Sequence, residues 1–168
     1  MVGQIAVADT SVIVALHYLR LLTKLSLFYR EVLIPTQVRN EFIAKDEKGN
    51  LVIALNQLIA GSLFSPCDDY DSTQVAIYLT TKLHKGESEA LSQMDYRNAD
   101  VLLIDERRAR KIARREMRTV RGTADILAEL DKMGYVNYQK SIDLLRDGIH
   151  FRISDTIAEE IYRKSMGQ

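Results

Sequence analysis

The sequence predicts an α/β fold in which a mostly parallel sheet carries helices on both faces. Short apolar segments of strand length alternate along the chain with longer segments whose apolar residues recur at helical spacing. Apolar residues make up 46% and charged residues 27% of the 168 residues, which is ordinary for a globular protein and argues against a disordered one. This length suits one domain, residues 1–168, to which helices near 137–165 are appended.

Two strands in the first part of the chain are each followed by a helix. Residues 4–8 are predicted to form a short buried strand, and residues 31–34 a second one that Pro35 stops. Ser11 is the predicted cap of the first helix, and Thr36 opens the second. Later segments are predicted as a helix over 51–60, a polar loop over 65–71, a helix over 73–83 and a helix over 87–97.

The second half of the chain contains the most convincing central strand, residues 101–104, which ends at Asp105. A basic helix follows from about 106 to 117, and residues 119–120 are a predicted short strand. Residues 148–153 are expected to form a loop or an added short strand. Three further helices are predicted, over 124–133, 138–146 and 154–165.

Several classes of protein are disfavoured by what the sequence lacks. No apolar run approaches the roughly 20 residues of a membrane-spanning helix, and the first residues lack the basic start of a secretory signal. The lone Cys67 has no partner for a disulfide, so a cytoplasmic protein without a membrane contact is expected. Glycine-rich nucleotide-binding loops are missing. The histidines, His17, His84 and His150, lack ligand spacing and are interpreted as structural or surface residues.

Two of the predicted strands end in an aspartate, Asp9 and Asp105. Because the carboxyl ends of parallel strands lie along one edge of the sheet, where ligands bind in such folds, both side chains are candidates for a site. Aspartate is also a common helix cap or turn residue, so each position alone has a purely structural explanation. Two such positions in one short sheet favour a functional role.

Glutamates on two predicted helices can reach the same edge. Glu41 borders the buried stripe of its helix. Glu87 shares the apolar face of the predicted helix over 87–97, whereas Glu89 lies on a polar face of the same helix. A favourable interaction with the helix dipole explains a first-turn glutamate, but not one that points inward. Burying an unpaired carboxylate is costly, so an inward Glu87 needs a cation, a proton or a metal.

The acidic residues together predict a divalent-metal site. Carboxylates gathered from four elements repel one another unless a cation neutralises them. Oxygen ligands without histidine or cysteine suit Mg²⁺ or Mn²⁺ and do not suit zinc. The four candidates are Asp9, Glu41, Glu87 and Asp105.

The segment 107–121 contains eight arginines and lysines and one acid, a local charge of +7 in a chain whose formal net charge is +0. Six of these cations recur at helical spacing and form one predicted basic stripe: Arg107, Arg110, Lys111, Arg114, Arg115 and Arg118. No acid at helical spacing neutralises them. A positive face beside an acidic metal site suits the phosphates of RNA, with an acidic protein segment or plain solvation as the alternatives.

Several of these segments, taken together, resemble PIN-domain proteins. The matching segments are Asp9-Thr10-Ser11 after a strand, Pro35 to Glu41, Gly86-Glu87-Ser88-Glu89-Ala90, residues 102–113, Gly122 to Leu127 and residues 151–154. They are most similar to a subgroup of uncharacterised prokaryotic PIN-like proteins often grouped with VapC-type toxins. No single motif is strong, but their order and spacing over nearly the whole chain are fairly specific.

The resemblance implies a three-layer α/β/α PIN-like fold with a metal-dependent ribonuclease site, often in a homodimer, and in many relatives a toxin silenced by a small antitoxin. It assigns the catalytic and metal-binding positions to Asp9, Glu41, Glu87 and Asp105. The subgroup usually has two aspartates at positions 105 and 106, and because the second is Glu106 here, either residue remains a candidate ligand. Asp125, where glycine is frequent, either supplements the site or caps its helix, and Glu89 is a further possible ligand.

The sequence therefore favours metal-dependent hydrolysis of RNA phosphodiester bonds, with Mg²⁺ or Mn²⁺ as the cofactor. Thr10 or Ser11 is expected to orient a water molecule or a phosphate oxygen. The main alternative is an inactive PIN-like module that binds RNA or an acidic partner through the basic stripe without cutting. A phosphotransfer receiver also gathers acids at strand ends, but this chain lacks paired acids after its first strand and a well-placed lysine after a late one.

Overall fold

A computed structural model describes residues 3–46 and 49–167 of the chain. Within these residues, five strands form one parallel sheet with the order β3-β2-β1-β4-β5. The strands are β1 (Gln4–Ala8), β2 (Tyr29–Pro35), β3 (Phe64–Cys67), β4 (Val101–Leu103) and β5 (Thr119–Arg121). This confirms the predicted α/β class. Met1 and Val2, on which the expectation of no secretory signal partly rests, lie outside the described residues.

Nine α-helices are found in the described part of the chain. They are α1 (Thr10–Tyr18), α2 (Thr36–Lys45), α3 (Asn50–Ala60), α4 (Ser72–Thr80), α5 (Lys85–Tyr96), α6 (Arg107–Arg115), α7 (Thr123–Lys132), α8 (Tyr138–Ile149) and α9 (Asp155–Ser165). A 3₁₀ helix over Leu22–Leu27, which the sequence analysis did not predict, precedes β2. None of the helices within 3–46 and 49–167 is long and apolar enough to cross a bilayer.

The helices cover the sheet on both faces, because neighbouring residues of a strand point to opposite sides. In β1, Ala6 and Ala8 belong to the apolar cluster that includes α1 and α7, whereas Val7 belongs to the cluster beneath α5 and α6. All three side chains are fully buried. The central strand is thus apolar from Ile5 to Ala8, and the next polar side chain is that of Asp9, just beyond its end.

The strand β3 corrects the prediction of a polar loop over 65–71. Residues Phe64–Cys67 pair in parallel with β2, and Phe64 and Cys67 are buried while Ser65 and Pro66 are half-buried. The strand lies at the edge of the sheet, where a proline is tolerated because one side of the strand needs no ladder donor. The strand has only four residues, and because two of them are serine and proline, the sequence pattern is typical of a loop.

The carboxyl-terminal part also differs from its prediction. Gly148 and Ile149, assigned to a loop or short strand, are the last residues of α8, and the helix ends at His150 in the left-handed conformation (φ 56°). Gly148 does not stop the helix. A Cβ atom there would lie 2.0 Å from the hydroxyl oxygen of Tyr18, so the glycine allows this ring to pack against α8.

We expect replacement of Asp71 by alanine to reduce the free energy of unfolding by about 1 kcal/mol, because Asp71 is the N-cap of α4. Its Oδ1 accepts hydrogen bonds from the backbone N–H groups of Thr73 (2.9 Å) and Gln74 (3.1 Å). Urea unfolding followed by circular dichroism measures the loss. Asp71→Asn retains a capping oxygen and should lose less. Equal stability of the alanine and asparagine variants would contradict this role.

Candidate functional site

The carboxyl edge of the two central strands brings Asp9 and Asp105 together. Asp9 follows β1 directly, and its backbone N–H donates to the Leu103 carbonyl of β4 (2.9 Å). The Asp105 backbone N–H donates to the Oγ of Ser11 (3.3 Å), and the same hydroxyl donates to Asp9 Oδ2 (2.7 Å). Ser11 thus links the two strand ends. Asp9, and not the predicted Ser11, is the N-cap of α1.

The Asp9 carboxylate is buried and only partly satisfied. Asp9 is 3% exposed, and its Oδ2 accepts hydrogen bonds from the backbone N–H (3.1 Å) and from the hydroxyl of Ser11. The other oxygen, Oδ1, is buried without a hydrogen-bond partner among the residues that the structure describes. Burial raises the pKa of Asp9, and the two hydrogen bonds from Ser11 offset this only in part. A buried, unsatisfied carboxylate oxygen is the arrangement that a bound cation relieves.

Asp105 is held in place by the start of α7. Its Oδ1 accepts from the backbone N–H of Thr123 (2.8 Å) and its Oδ2 from the Thr123 hydroxyl (2.6 Å). Burial raises the pKa of Asp105 to about 6, against the opposing effects of these hydrogen bonds and of Arg110. Gly122 leaves room for this arrangement, because a Cβ atom there would lie 2.7 Å from Asp105 Oδ1 and 2.2 Å from an Arg110 nitrogen.

Glu41 and Glu87 approach the same edge from α2 and α5. Glu41 Oε2 accepts a hydrogen bond from the Thr10 hydroxyl (2.6 Å), and its side chain is 19% exposed. Glu87 is buried at 5% exposure, which agrees with its predicted inward direction. Burial raises the pKa of Glu87. A Cβ atom on Gly86 would lie 2.6 Å from Glu41 Oε1, so this glycine lets α2 and α5 meet closely.

His84 lies between the two glutamates, a position that the sequence analysis missed. Its Nε2 is 2.8 Å from Glu87 Oε1, and its Nδ1 is 3.5 Å from Glu41 Oε1. The imidazole is also the N-cap of α5: Nδ1 is 3.4 Å from the backbone nitrogen of Glu87, and the His84 N–H donates to Glu87 Oε2 (3.1 Å). The spacing His84-x-x-Glu87 matches a capping box, which was the available signal.

The four predicted ligands act on one another electrostatically. Burial is the largest cause of the raised pKa of Asp9, of Glu87 and of Asp105, and the Asp9 charge raises the pKa of Glu87 and of Asp105 further. The Glu41 charge does the same to Asp9. Their oxygens are turned toward Ser11, Thr10, His84 and Thr123. Within the described ranges, no group of three or more His, Cys, Asp or Glu side chains is arranged to hold a metal ion.

The other acidic candidates have partners of their own. Glu89 is buried, although its face of α5 was predicted to be polar, and its Oε2 accepts from the Gln37 N–H at the start of α2 (2.9 Å). Glu106 is exposed and caps α6 through Arg108 N–H (3.1 Å). Asp125 accepts from the Gly122 N–H (2.6 Å) and pairs with Arg110. Of the two candidate ligands at positions 105 and 106, Asp105 is the one that lies beside Asp9.

The predicted basic stripe divides into two groups. Arg107, Lys111, Arg114 and Arg115 are exposed on α6. Arg110 is half-buried: it pairs with Asp125 (3.0 Å) and donates to the Ile104 carbonyl. The helix ends at Arg115, so Arg118 does not continue the stripe, and it forms an ion pair with Asp95. Helical periodicity gave the face of each cation but could not reveal these tertiary partners.

A large cleft begins at Asp105 and runs between α6 and α9. Its volume is about 1240 Å³. One wall is α6 with its exposed cations, and the other is formed by residues 151–154 and α9. Asp125 and Glu129 line its inner end. Of the four predicted ligands at the sheet edge, Asp105 lines this cleft with its basic wall.

Comparison with known proteins gives one finding and one negative result. A family model described as a PIN domain matches residues 5–166 of this chain. The match runs from the second residue of β1 to one residue beyond α9, so it includes the sheet edge and the cleft. A comparison with curated proteins gives no match.

Proposed function

Because this chain belongs to the PIN-domain family, whose members are generally nucleases, we propose that it is a metal-dependent endoribonuclease that hydrolyses RNA phosphodiester bonds. The observation that carries the proposal is Asp9 Oδ1, a buried carboxylate oxygen without a hydrogen-bond partner in the described structure. It lies within electrostatic reach of Glu41, Glu87 and Asp105. Such an oxygen needs a cation, and oxygen ligands favour Mg²⁺ or Mn²⁺.

The chemistry of the donor set fits a divalent metal held by Asp9, Glu41, Glu87 and Asp105. A metal ion bound there would lower the pKa of a water molecule and stabilise charge on the leaving oxygen. The residues around it hold the carboxylates in place. Thr10 orients Glu41, Ser11 orients Asp9, and Thr123 orients Asp105. Thr10 and Ser11 thus hydrogen-bond to carboxylates, whereas the sequence predicts that one of the two orients a water molecule or a phosphate oxygen.

The site is also placed to receive a polyanion. Four exposed cations of α6 have no carboxylate within ion-pair distance among the described residues: Arg107, Lys111, Arg114 and Arg115. They are therefore available to contact substrate phosphates. His84 lies between Glu41 and Glu87 and is half exposed, so a divalent ion held by these two carboxylates would compete with the imidazole for their oxygens.

The cellular role that we propose is that of a cytoplasmic toxin in a toxin–antitoxin pair, acting as a homodimer. This rests on the resemblance to VapC-type proteins. Co-expression with the product of a short neighbouring reading frame tests it: a genuine antitoxin should restore growth and co-purify with this chain. Growth inhibition that no neighbouring gene relieves would remove the antitoxin from the proposal.

The direct test of the enzymatic proposal is incubation of the purified protein with a mixed structured RNA in Mg²⁺, in Mn²⁺ and in EDTA. We expect cleavage in either metal and none in the chelator, because the proposed reaction uses a bound metal ion to lower the pKa of the attacking water. Titration calorimetry with Mg²⁺ on the same sample should show saturable binding. RNA that stays intact in both metals, together with the absence of a binding isotherm, would contradict the proposal.

A second candidate function is binding of RNA without cleavage. The observation that favours it is that, among the described residues, no three of these carboxylates are arranged to hold a metal ion, whereas the cations of α6 are exposed. A pure binding module should retain RNA with equal affinity in Mg²⁺ and in EDTA and leave it uncut. Loss of intact RNA only in the presence of metal separates the two functions.

Replacement of Gly86 by alanine is expected to weaken Mg²⁺ binding about tenfold, the lower end of what disturbing a ligand's support costs. The new Cβ atom would lie 2.6 Å from Glu41 Oε1 and would displace this carboxylate. Stability should not fall, because alanine favours a helix by roughly 0.5–1 kcal/mol over glycine. Calorimetry and thermal unfolding measure both effects. Gly61→Ala, whose Cβ has no contact closer than 3.4 Å, is the control.

A further inference from the structure

The imidazole of His84 lies against two of the four predicted ligands, although the spacing of the histidines predicts no ligand role for any of them. Its Nε2 is 2.8 Å from Glu87 Oε1, and its Nδ1 is 3.5 Å from Glu41 Oε1. The side chain of His84 is 52% exposed, whereas those of Glu41 and Glu87 are 19% and 7% exposed. The imidazole is therefore the most solvent-accessible of the three side chains.

The hydrogen bonding of His84 assigns the lone pair of its ring to Nδ1. The backbone N–H of Glu87 donates to Nδ1 (3.4 Å), so this nitrogen is an acceptor, and the hydrogen of a neutral imidazole lies on Nε2. Nε2 is the nitrogen beside Glu87 Oε1. Metal-binding histidines commonly have a carboxylate next to the ring nitrogen that carries the hydrogen, and this carboxylate fixes the tautomer. Glu87 is placed to do this for His84.

The other nitrogen, Nδ1, and Glu41 Oε1 are two acceptor atoms only 3.5 Å apart. Thr10 donates to the second oxygen of Glu41, and no described residue donates a hydrogen bond to Oε1. Two acceptors at this distance repel each other unless a cation lies between them. Two ligands at right angles on one ion, each about 2.1 Å from it, are about 3.0 Å apart. Nδ1 and Oε1 are therefore spaced nearly as neighbouring ligands are.

Asp9 offers a third donor without a partner. Its Oδ1 is buried and receives no hydrogen bond from the described residues, and His84 is near enough to act electrostatically on its carboxylate. No three such groups are already arranged around one point in the part of the chain that the structure describes, so an ion has to draw them together. The half-exposed imidazole has room to turn, and the 3.4 Å hydrogen bond that it gives up is a long one.

We propose that His84 Nδ1 is a ligand of the divalent ion beside Asp9 and Glu41, and that it makes the site prefer Mn²⁺ to Mg²⁺. The inference rests on the proposed function for the presence of a metal ion and decides between the two candidate ions. At Glu41 the ion binds the imidazole instead of displacing it. At Glu87, whose carboxylate oxygens each have two lone pairs, the carboxylate positions the ring and can still face the ion.

The preference follows from the chemistry of the added donor. Mg²⁺ takes oxygen ligands and gives up its water reluctantly, so an imidazole nitrogen adds little to its binding. Mn²⁺ belongs to the transition series, in which affinity for a site with nitrogen donors increases toward Co²⁺. A site of carboxylates alone has no such gradient from His84, and loss of the ring nitrogen should therefore affect the three ions unequally.

Titration calorimetry with Mg²⁺, Mn²⁺ and Co²⁺ on the parent and on His84→Asn tests the inference without RNA. Asparagine is a good N-cap residue, so it keeps a cap for α5 while it removes the ring nitrogen. We expect Mn²⁺ affinity to fall at least about tenfold, the lower end of what disturbing even an outer-shell partner costs. The loss should be larger for Co²⁺ and below about twofold for Mg²⁺. His150→Asn is the matched control, because His150 is exposed at the end of α8.

Pulsed electron paramagnetic resonance of the Mn²⁺-loaded protein identifies the ligand directly. The parent should show coupling of Mn²⁺ to a histidine nitrogen, and the coupling should be absent from His84→Asn, in which His17 and His150 remain. Thermal unfolding in EDTA should give similar melting temperatures for parent and variant. If the variant folds poorly, the coupling in the parent, compared with and without histidine labelled with a heavier nitrogen isotope, decides the question.

Equal losses of Mg²⁺ and Mn²⁺ affinity in His84→Asn, or Mn²⁺ binding without nitrogen coupling, would overturn the proposal. Tighter binding of both ions by the variant would do the same, because His84 would then be a cation that competes with the metal. These results do not depend on cleavage, so the enzymatic proposal is judged separately by the RNA assay. A protein that binds Mn²⁺ through His84 and leaves RNA intact would keep this inference and remove the nuclease activity.

Discussion

Replacement of Asp9 by asparagine is expected to reduce RNA cleavage at least about 100-fold, because disturbing even the support of a metal ligand costs about 10- to 100-fold. The variant loses the charge of Asp9, which is only 3% exposed. An asparagine oxygen can still accept from Ser11, so the capping of α1 is retained. The substitution therefore removes a negative charge while the hydrogen bonds from Ser11 can remain.

The same variant should be more stable than the parent when no metal is present. Burial raises the pKa of Asp9, which means that its charged form is unfavourable in the folded protein. The neutral amide avoids this cost at neutral pH. Saturating Mg²⁺ should reverse the order by stabilising the parent alone, since a ligand stabilises only the state that binds it.

Thermal unfolding in EDTA and in Mg²⁺, with cleavage measured on the same preparations, checks both parts of this prediction. Asp147→Asn is the matched control, because Asp147 is exposed on α8 and the substitution changes net charge equally. Cleavage by Asp9→Asn at the parental rate would show that the buried carboxylate is not part of the reaction. A melting temperature below that of the parent in EDTA would show that its charge is stabilised by the fold.

Replacement of Asp105 by asparagine is expected to change the pH dependence of stability. The pKa of Asp105 rises from the ordinary 3.8 to about 6, chiefly through burial. A carboxyl group whose pKa is higher in the folded protein binds its proton more tightly when folded. Its contribution to stability is therefore fully present below pH 3.8 and is lost as the pH rises through about 6.

The lost contribution is at most about 3 kcal/mol at neutral pH, at 1.36 kcal/mol for each tenfold change in proton affinity. Asparagine carries no charge and can keep both contacts with Thr123, by accepting from its N–H and donating to its hydroxyl. The metal-free variant should thus exceed the parent in unfolding free energy at pH 7, with the difference shrinking toward pH 4. Urea unfolding at several pH values measures this. A difference that stays constant with pH would contradict it.

The fold and half of the site follow from periodicity in the sequence. Asp9 and Asp105 were predictable because an apolar strand of a parallel sheet delivers its next residue to a known edge. The inward direction of Glu87 followed from its place on the apolar face of α5. Each inference uses only neighbours along the chain, and local spacing is sufficient for such positions.

What the sequence did not reveal depends on contacts between distant segments. The strand β3 is short, lies at an edge and contains Pro66, so its identity comes from its pairing with β2. His84 gains its position from α2 meeting α5 at Gly86. Helical spacing groups Arg110 with the exposed cations. Its guanidinium instead donates to Asp125, fifteen positions later, and is half-buried.

The pairing of β1 with β4 also determines when the protein can become active during its synthesis. Ala8 lies beside Leu103, and the Asp9 N–H donates to the Leu103 carbonyl, although more than half the length of the chain separates these positions. A ribosome-bound chain that ends before Val101 contains Asp9, Glu41 and Glu87 but has no Asp105 and no basic wall. Because chains emerge at about 5–20 residues per second, several seconds of translation separate the first ligand from the last. If the protein cuts RNA as we propose, a nascent chain therefore lacks this activity until its second half has emerged and docked.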